Sequence, residues 1–144
     1  MNKQRLAVAI FTALGVIATF LPWHKLLWFN YNGFQVHWEG WPGFGWISFT
    51  LYVVALAMSV TGDRSSRILK GRAVGVWICA LAASTTGIWR IVSIHTEHWP
   101  EDVSPGIGIF LTAVAGIAAV VCLVTLKGKQ AGEPPHQPIY RSGL

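Results

Sequence analysis

Residues 107–126 read IGIFLTAVAGIAAVVCLVTL, a stretch without a single charge. At 1.5 Å per residue, a helix of this length covers about 30 Å, the thickness of the hydrocarbon core of a bilayer. The stretch begins after Pro105-Gly106 and stops at Lys127-Gly128-Lys129. Nothing in lipid can hydrogen-bond an open backbone, so such a run has to be a helix; it is too long and too uniformly apolar for the alternating strand of a barrel.

Working outward, three further runs of the same kind precede it: about residues 73–92, 45–61 and 6–21. The first is short, and Pro22 and Trp23 extend it into the headgroup layer. A basic start followed by an apolar run also describes a signal peptide, but Thr19, Phe20 and Leu21 lack the small-residue cleavage pattern, so the run reads as a retained helix. The composition agrees. Hydrophobic residues make up 53% of the 144 and charged residues only 12%, where a soluble domain carries about 25% charged residues.

The net charge of +5 raises the question of nucleic acid. The placement of the charges answers it. Lys3 and Arg5 precede the first run; Arg64, Arg67, Lys70 and Arg72 separate the second from the third; Lys127, Lys129 and Arg141 follow the fourth. The other two intervals hold only Lys25 and Arg90 among the cations, together with Glu39, Glu97, Glu101 and Asp102. Basic segments stay on the cytoplasmic side, so three inside segments and two outside loops require four crossings, with both termini cytoplasmic. The expected fold is an all-α membrane protein: a four-transmembrane-helix bundle over residues 1–126, then a cytoplasmic tail, 127–144, with Pro134, Pro135 and Pro138. The expected location is the plasma membrane, in a bacterium the inner membrane, and no nucleic-acid partner is expected.

Lipid tails are as apolar as leucine, so helices in a membrane associate through close packing, which favours small residues four apart. In the third run Gly75, Cys79, Ala83 and Gly87 form one column; in the fourth Gly108, Thr112 and Gly116 form another; the first offers Ala9 with Ala13 and Gly15 with Thr19. These columns point to a tight antiparallel pair of the third and fourth helices. Ser84, Thr85 and Thr86 fall near mid-membrane, where a hydroxyl bonds the carbonyls of its own helix. The spans hold no Asp, Glu, Lys or His below Arg90, which argues against a proton-coupled pump or ion transporter. Cys79 and Cys122 sit inside apolar runs and read as small buried residues rather than a disulfide.

The first outer loop carries five of the eight tryptophans: Trp23, Trp28, Trp38, Trp41 and Trp46. Tryptophan favours the headgroup layer, so one reading is an aromatic belt lying flat on the membrane. The other is a short β-hairpin capping the helices, because Tyr31, Phe34, Val36 and Trp38 alternate around Asn32-Gly33, a turn dipeptide. A first helix, an outer loop with several Trp and Gly, and three further helices resemble the claudin-type four-helix arrangement. The claudin loop joins Trp and a Gly-Leu-Trp triplet to two cysteines, whereas this loop has Trp28, Trp41 and Trp46 and no cysteine. The Leu21-Pro22-Trp23 helix end and the glycine-aromatic loop resemble small bacterial four-span proteins, a likeness that implies topology and no activity.

His24, His37, His95 and His98 fall in the outer loops beside the acidic residues. His95 and His98 could share one face of a helical turn, but no metal-binding spacing is present, and edge histidines serve ordinarily as amphipathic interface residues. Arg90 ends the third run, where a guanidinium needs a carboxylate or the headgroups; the expected acceptors are Glu39, Glu97, Glu101 and Asp102. No nucleophile with a base, no paired carboxylates and no phosphate-binding glycine loop occur, so no catalytic residue, cofactor or metal is assigned. The function expected is that of a non-catalytic interaction protein, an accessory or assembly subunit of a larger membrane complex. Its partners would be lipids and other membrane proteins or copies of itself, met through Trp28, Trp38, Trp41, Trp46 and Arg90. The alternatives are a small oligomeric channel or carrier, and a membrane-embedded immunity protein.

Overall fold

A computed structural model describes residues 2–26, 28–35, 43–63, 68, 70–96 and 103–126. Among them are four helices, α1 (Lys3–Ala18), α2 (Phe44–Val60), α3 (Lys70–Thr96) and α4 (Ile107–Thr125), and three short strands, β1 (Pro22–Leu26), β2 (Phe29–Asn32) and β3 (Val103–Pro105). The fold is mostly helical with one small sheet. The tail, 127–144, lies outside the described residues.

The helices form an up-and-down ring in which α1 packs on α2 and α4, and α3 on the same two neighbours. Two of them, α3 and α4, are long and apolar enough to cross a membrane. By residue count α3 extends about 40 Å and α4 about 28 Å. The apolar helix α2 is shorter, about 26 Å, and α1 is about 24 Å. One end of the ring gathers the N-termini of α1 and α3 with the C-termini of α2 and α4; the other end carries the sheet.

The ring closes on a single side chain. Tyr52 of α2 is fully buried: its ring lies against Gly15 of α1, and its hydroxyl reaches Gly116 of α4 and donates to the carbonyl of Thr112. Ser84 of α3 donates to the carbonyl of Ala113 at 3.0 Å, beside the same point. Four helices thus meet around one phenol, which fits because Gly15 and Gly116 present no side chain. Thr85 bonds Leu81 of its own helix, as the residue type suggests, and Thr86 bonds both Ala83 of its own helix and the Ser48 hydroxyl of α2, while Ser84 bonds across to α4. Its position on the buried face decides this, because there a neighbouring carbonyl lies within reach.

The small-residue columns are distributed among three partners. Gly87 lies against Ile109 and Ala113 of α4, and Gly116 against Ala80 and Ser84 of α3. Ala83 is buried in a cluster with Tyr52 and Ala115. Thr112, also buried, bonds the carbonyl of Gly108 at 2.8 Å. Gly75, by contrast, faces Met58 of α2, and Gly108 faces Trp23 and the carbonyls of Ala18 and Leu21. A column four apart drifts around a straight helix, so its two ends meet different neighbours.

The hairpin lies one strand earlier than the alternation around Asn32-Gly33 suggests. β1 pairs antiparallel with β2 through Lys25–Asn30, and Asn32 ends β2. The Asn32 side chain accepts from the backbone N–H groups of Phe34 and Gln35, both at 3.1 Å, folding the chain into an Asx turn instead of a strand-joining turn. Gly33 then donates to Thr19 and accepts from Gly45, tying the ends of α1 and α2 together. Val36 and Trp38 lie outside the described residues. The third strand arrives from the second connection: β3 pairs with β1 (His24–Pro105, Lys25–Ser104, Leu26–Val103), giving the order β2-β1-β3.

Candidate functional site

The sheet end is built on Trp23. Five residues beyond α1, its indole is 1% exposed and packs with Ile94 of α3 and Ile109 of α4, with Phe44, Ile91 and Val103 around them. Its ring N–H donates to the carbonyl of Ala18 at 3.1 Å, and its own carbonyl accepts from Gly106, the N-cap of α4, at 2.8 Å. Trp23 is therefore a core residue, not the headgroup anchor its position after an apolar run suggests. Gly33 and Gly108 flank the ring at distances that leave no room for a Cβ.

Beside Trp23 lies a pair of buried polar side chains. Arg90 of α3 is 1% exposed and His24 of β1 is 4% exposed. The Arg90 Nε–H donates to His24 Nε2 at 3.2 Å, Nη1 donates to the Ser93 hydroxyl at 3.3 Å, and the guanidinium carbon lies 5.8 Å from the centre of the Phe44 ring. An acceptor at Nε2 leaves the neutral ring with its proton on Nδ1. Burial, aided by the Arg90 charge, lowers the His24 pKa to about 4, so the ring is neutral at physiological pH. Arg90 is thus removed from any surface that a lipid or partner could touch. Its sequence-expected acceptors, Glu39, Glu97, Glu101 and Asp102, all lie outside the described residues.

The exposed part of this end is aromatic. Trp28, at the turn of the β1–β2 hairpin, is 93% exposed, and Phe29 beside it is exposed as well. The hairpin stands off the end of the ring. β3 leads from Val103 down to Pro105 at the start of α4, so β1, antiparallel to it, runs away from that start toward Trp28. Closer to the helices, Phe34 is the centre of a group of rings: Phe20 at 5.0 Å, Trp46 at 4.6 Å and Phe49 at 5.6 Å, centroid to centroid. Trp46 is half exposed on the first turn of α2. Trp38 and Trp41 lie outside the described residues.

His95 is exposed, with Nδ1 2.7 Å from the carbonyl of Ile91, while His37 and His98 lie outside the described residues. Among the described residues no three of His, Cys, Asp and Glu come together.

The opposite end holds a residue that the sequence disguises. Arg5 reads as one of the charges that orient the first helix, yet it is 1% exposed. Its Nη1 donates to the carbonyls of Ser59 (3.1 Å) and Thr61 (2.7 Å), capping the C-terminus of α2, where cations are favoured. Gln4 completes the closure: its amide N–H donates to Leu123 of α4 at 2.6 Å, and its oxygen accepts from the backbone of Ile68 at 3.3 Å. The signal in the sequence was the absence of any basic residue in the last turn of α2.

No family model, curated protein or solved structure matches the chain.

Proposed function

We propose that the chain crosses a membrane four times, with both termini cytoplasmic, and serves as a non-catalytic interaction protein, an accessory or assembly subunit of a larger membrane complex. The observation that carries the membrane part is an inverted distribution of side chains. Each helix turns large apolar residues outward: Leu6, Ile10, Leu14 and Ile17 on α1; Ile47, Val53 and Val54 on α2; Val74, Ile78 and Ile88 on α3; Phe110, Val114, Ile117 and Val121 on α4. Inward they turn Thr12, Ser48, Ser59, Ser84 and Thr112 with alanine and glycine. In water this arrangement leaves an apolar girdle far larger than a stable monomer tolerates; in lipid it is the expected one. The shorter α1 and α2 share the girdle, which supports counting them as spans.

The interaction part rests on the contrast between a filled interior and an aromatic rim. Tyr52 and the hydroxyls around it occupy the axis of the ring, so a substrate route through one chain has no support, and a channel would have to form between copies. Trp28 and Phe29, held out on a hairpin that is itself anchored by β3, have the residue types that dominate binding energy in protein interfaces. The reading is tested by purifying the full-length chain in mild detergent and identifying what accompanies it. Stable recovery of larger membrane proteins, lost in a Trp28→Ala, Phe29→Ala double variant of unchanged melting temperature, is the expected result. A solitary monomer refutes it.

A further inference from the structure

We infer that the contact between Arg90 and His24 is an acid-operated latch: protonation of His24 parts β1 from α3 and loosens the hairpin that carries Trp28 and Phe29. As the regulation of a contact surface it rests on the interaction reading above; as a property of the hairpin it stands on the geometry alone.

His24 marks the place where the hairpin leaves the ring. Among the described side chains from His24 to Tyr31 it alone is buried, while Lys25, Trp28, Phe29, Asn30 and Tyr31 are exposed. The strands beyond it are short, with β3 adding three residues on one edge, and so small a sheet has little stability apart from what it packs against. Its hold on α3 includes the bond from Arg90 Nε–H to His24 Nε2 at 3.2 Å, made between side chains that are 1% and 4% exposed.

That bond admits one protonation state. Nε2 accepts only while it carries no proton. An imidazolium has an N–H at both ring nitrogens, so protonation sets donor against donor and a second cation against a guanidinium that stays charged. The clash lies in this one bond, whatever else either side chain touches. In the closed state the ring resists protonation, its pKa lowered to about 4 by burial first and by the Arg90 charge second; released to water, it returns toward 6.5. Acid therefore favours the open state, and the opening equilibrium rises as the pH falls from 6.5 toward 4. The other charged or titratable groups described around His24 are Lys25 beside it, Tyr31 opposite it on β2 and the exposed His95 on α3; β3 has none, and α4 has none at this end.

The test is hydrogen–deuterium exchange of the full-length chain in detergent, read by mass spectrometry near neutral pH and near pH 4, with protection corrected for the intrinsic pH dependence of exchange. Protection over residues 22–32 is expected to fall about tenfold or more in acid, while residues 107–125 keep theirs. His24→Gln, which keeps an acceptor for Arg90 and cannot titrate, should hold the hairpin equally closed at both pH values. Arg90→Gln, which removes the neighbouring charge, should shrink the acid effect. Persistence of the full effect in His24→Gln would assign it to carboxylates elsewhere in the chain and overturn the latch, as would equal protection of the wild-type hairpin at both pH values. Recovery of partner proteins, measured beside exchange, separates the two readings. A solitary chain whose hairpin still loosens in acid removes the contact reading and leaves the latch; partners held by a hairpin that acid does not loosen remove the latch alone.

Discussion

The two ends of the ring each bury an arginine to the same depth, and the two arginines do different things. Arg5 spends its donors on backbone carbonyls that have no other helical partner, so its role is to finish α2, and nothing in its contacts with Ser59 and Thr61 titrates near neutral pH. Arg90 spends Nε on His24, an acceptor only while the ring is neutral. One end is a fixed lock and the other is a conditional one. What separates them is the partner, because a carbonyl cannot take up a proton and an imidazole can.

The most damaging change should be one that removes the middle the two ends share. Gly116→Leu has no room against Ser84, the carbonyl of Ala80 and the Tyr52 hydroxyl, so α3 and α4 must part. A loss of about 3 kcal/mol or more is expected in thermal or denaturant unfolding in detergent; a wild-type melting temperature would show that the ends hold without the centre. Next comes the fixed lock. Arg5→Leu removes the donor from the buried Ser59 carbonyl, leaves the Thr61 carbonyl to Arg72 alone and should cost about 2 kcal/mol, with no change in the way stability varies with pH near neutrality.

The conditional lock predicts the opposite signature. The folded His24 pKa lies below the unfolded value of 6.5, so its neutral form contributes stability fully above pH 6.5, and the contribution is lost as the pH falls toward 4. The loss should reach up to about 3 kcal/mol at the acid limit. His24→Gln, which keeps an acceptor for Arg90 and cannot titrate, should flatten that part of the profile, while Arg5→Leu should leave the slope intact. An identical slope in His24→Gln would erase the distinction between the ends. The smallest effect belongs to Tyr52→Phe, which removes one hydrogen bond to Thr112 but keeps the ring against Gly15, at about 1 kcal/mol.

Much of the helical frame was legible because its cause is local. Runs of apolar residues bounded by Gly62-Asp63, Pro105-Gly106 and the basic segments mark the helices to within a few residues: 45–61 against Phe44–Val60, and 107–126 against Ile107–Thr125. The first and third helices depart further, α1 by starting at Lys3 and ending at Ala18, and α3 by continuing to Thr96 past the apolar run. In both, polar residues join the helix because a neighbour receives them: Asn2 caps α1, accepting from Gln4 at 2.9 Å, while Arg90, Ser93 and Ile94 are buried against the sheet end. Trp23, His24 and Arg5 were misjudged for one reason. Proximity to an apolar run implies the headgroup layer, yet each is buried by an element distant in the chain: α3 and β3 for Trp23, α3 for His24, the end of α2 for Arg5.

The sequence by itself determined where helices form and which stretches are too apolar for water, since hydrogen bonding and hydropathy act within a run of neighbours. It also determined, through Gly15, Gly87 and Gly116, that some helices would approach closely. The meeting of each glycine with its helix, the filling of the axis by Tyr52, the completion by β3 of a sheet begun eighty residues earlier, and the burial of Arg5 and Arg90 were settled by the tertiary fold. Those outcomes depend on which surfaces face one another after the ring closes, and no local pattern carries that information.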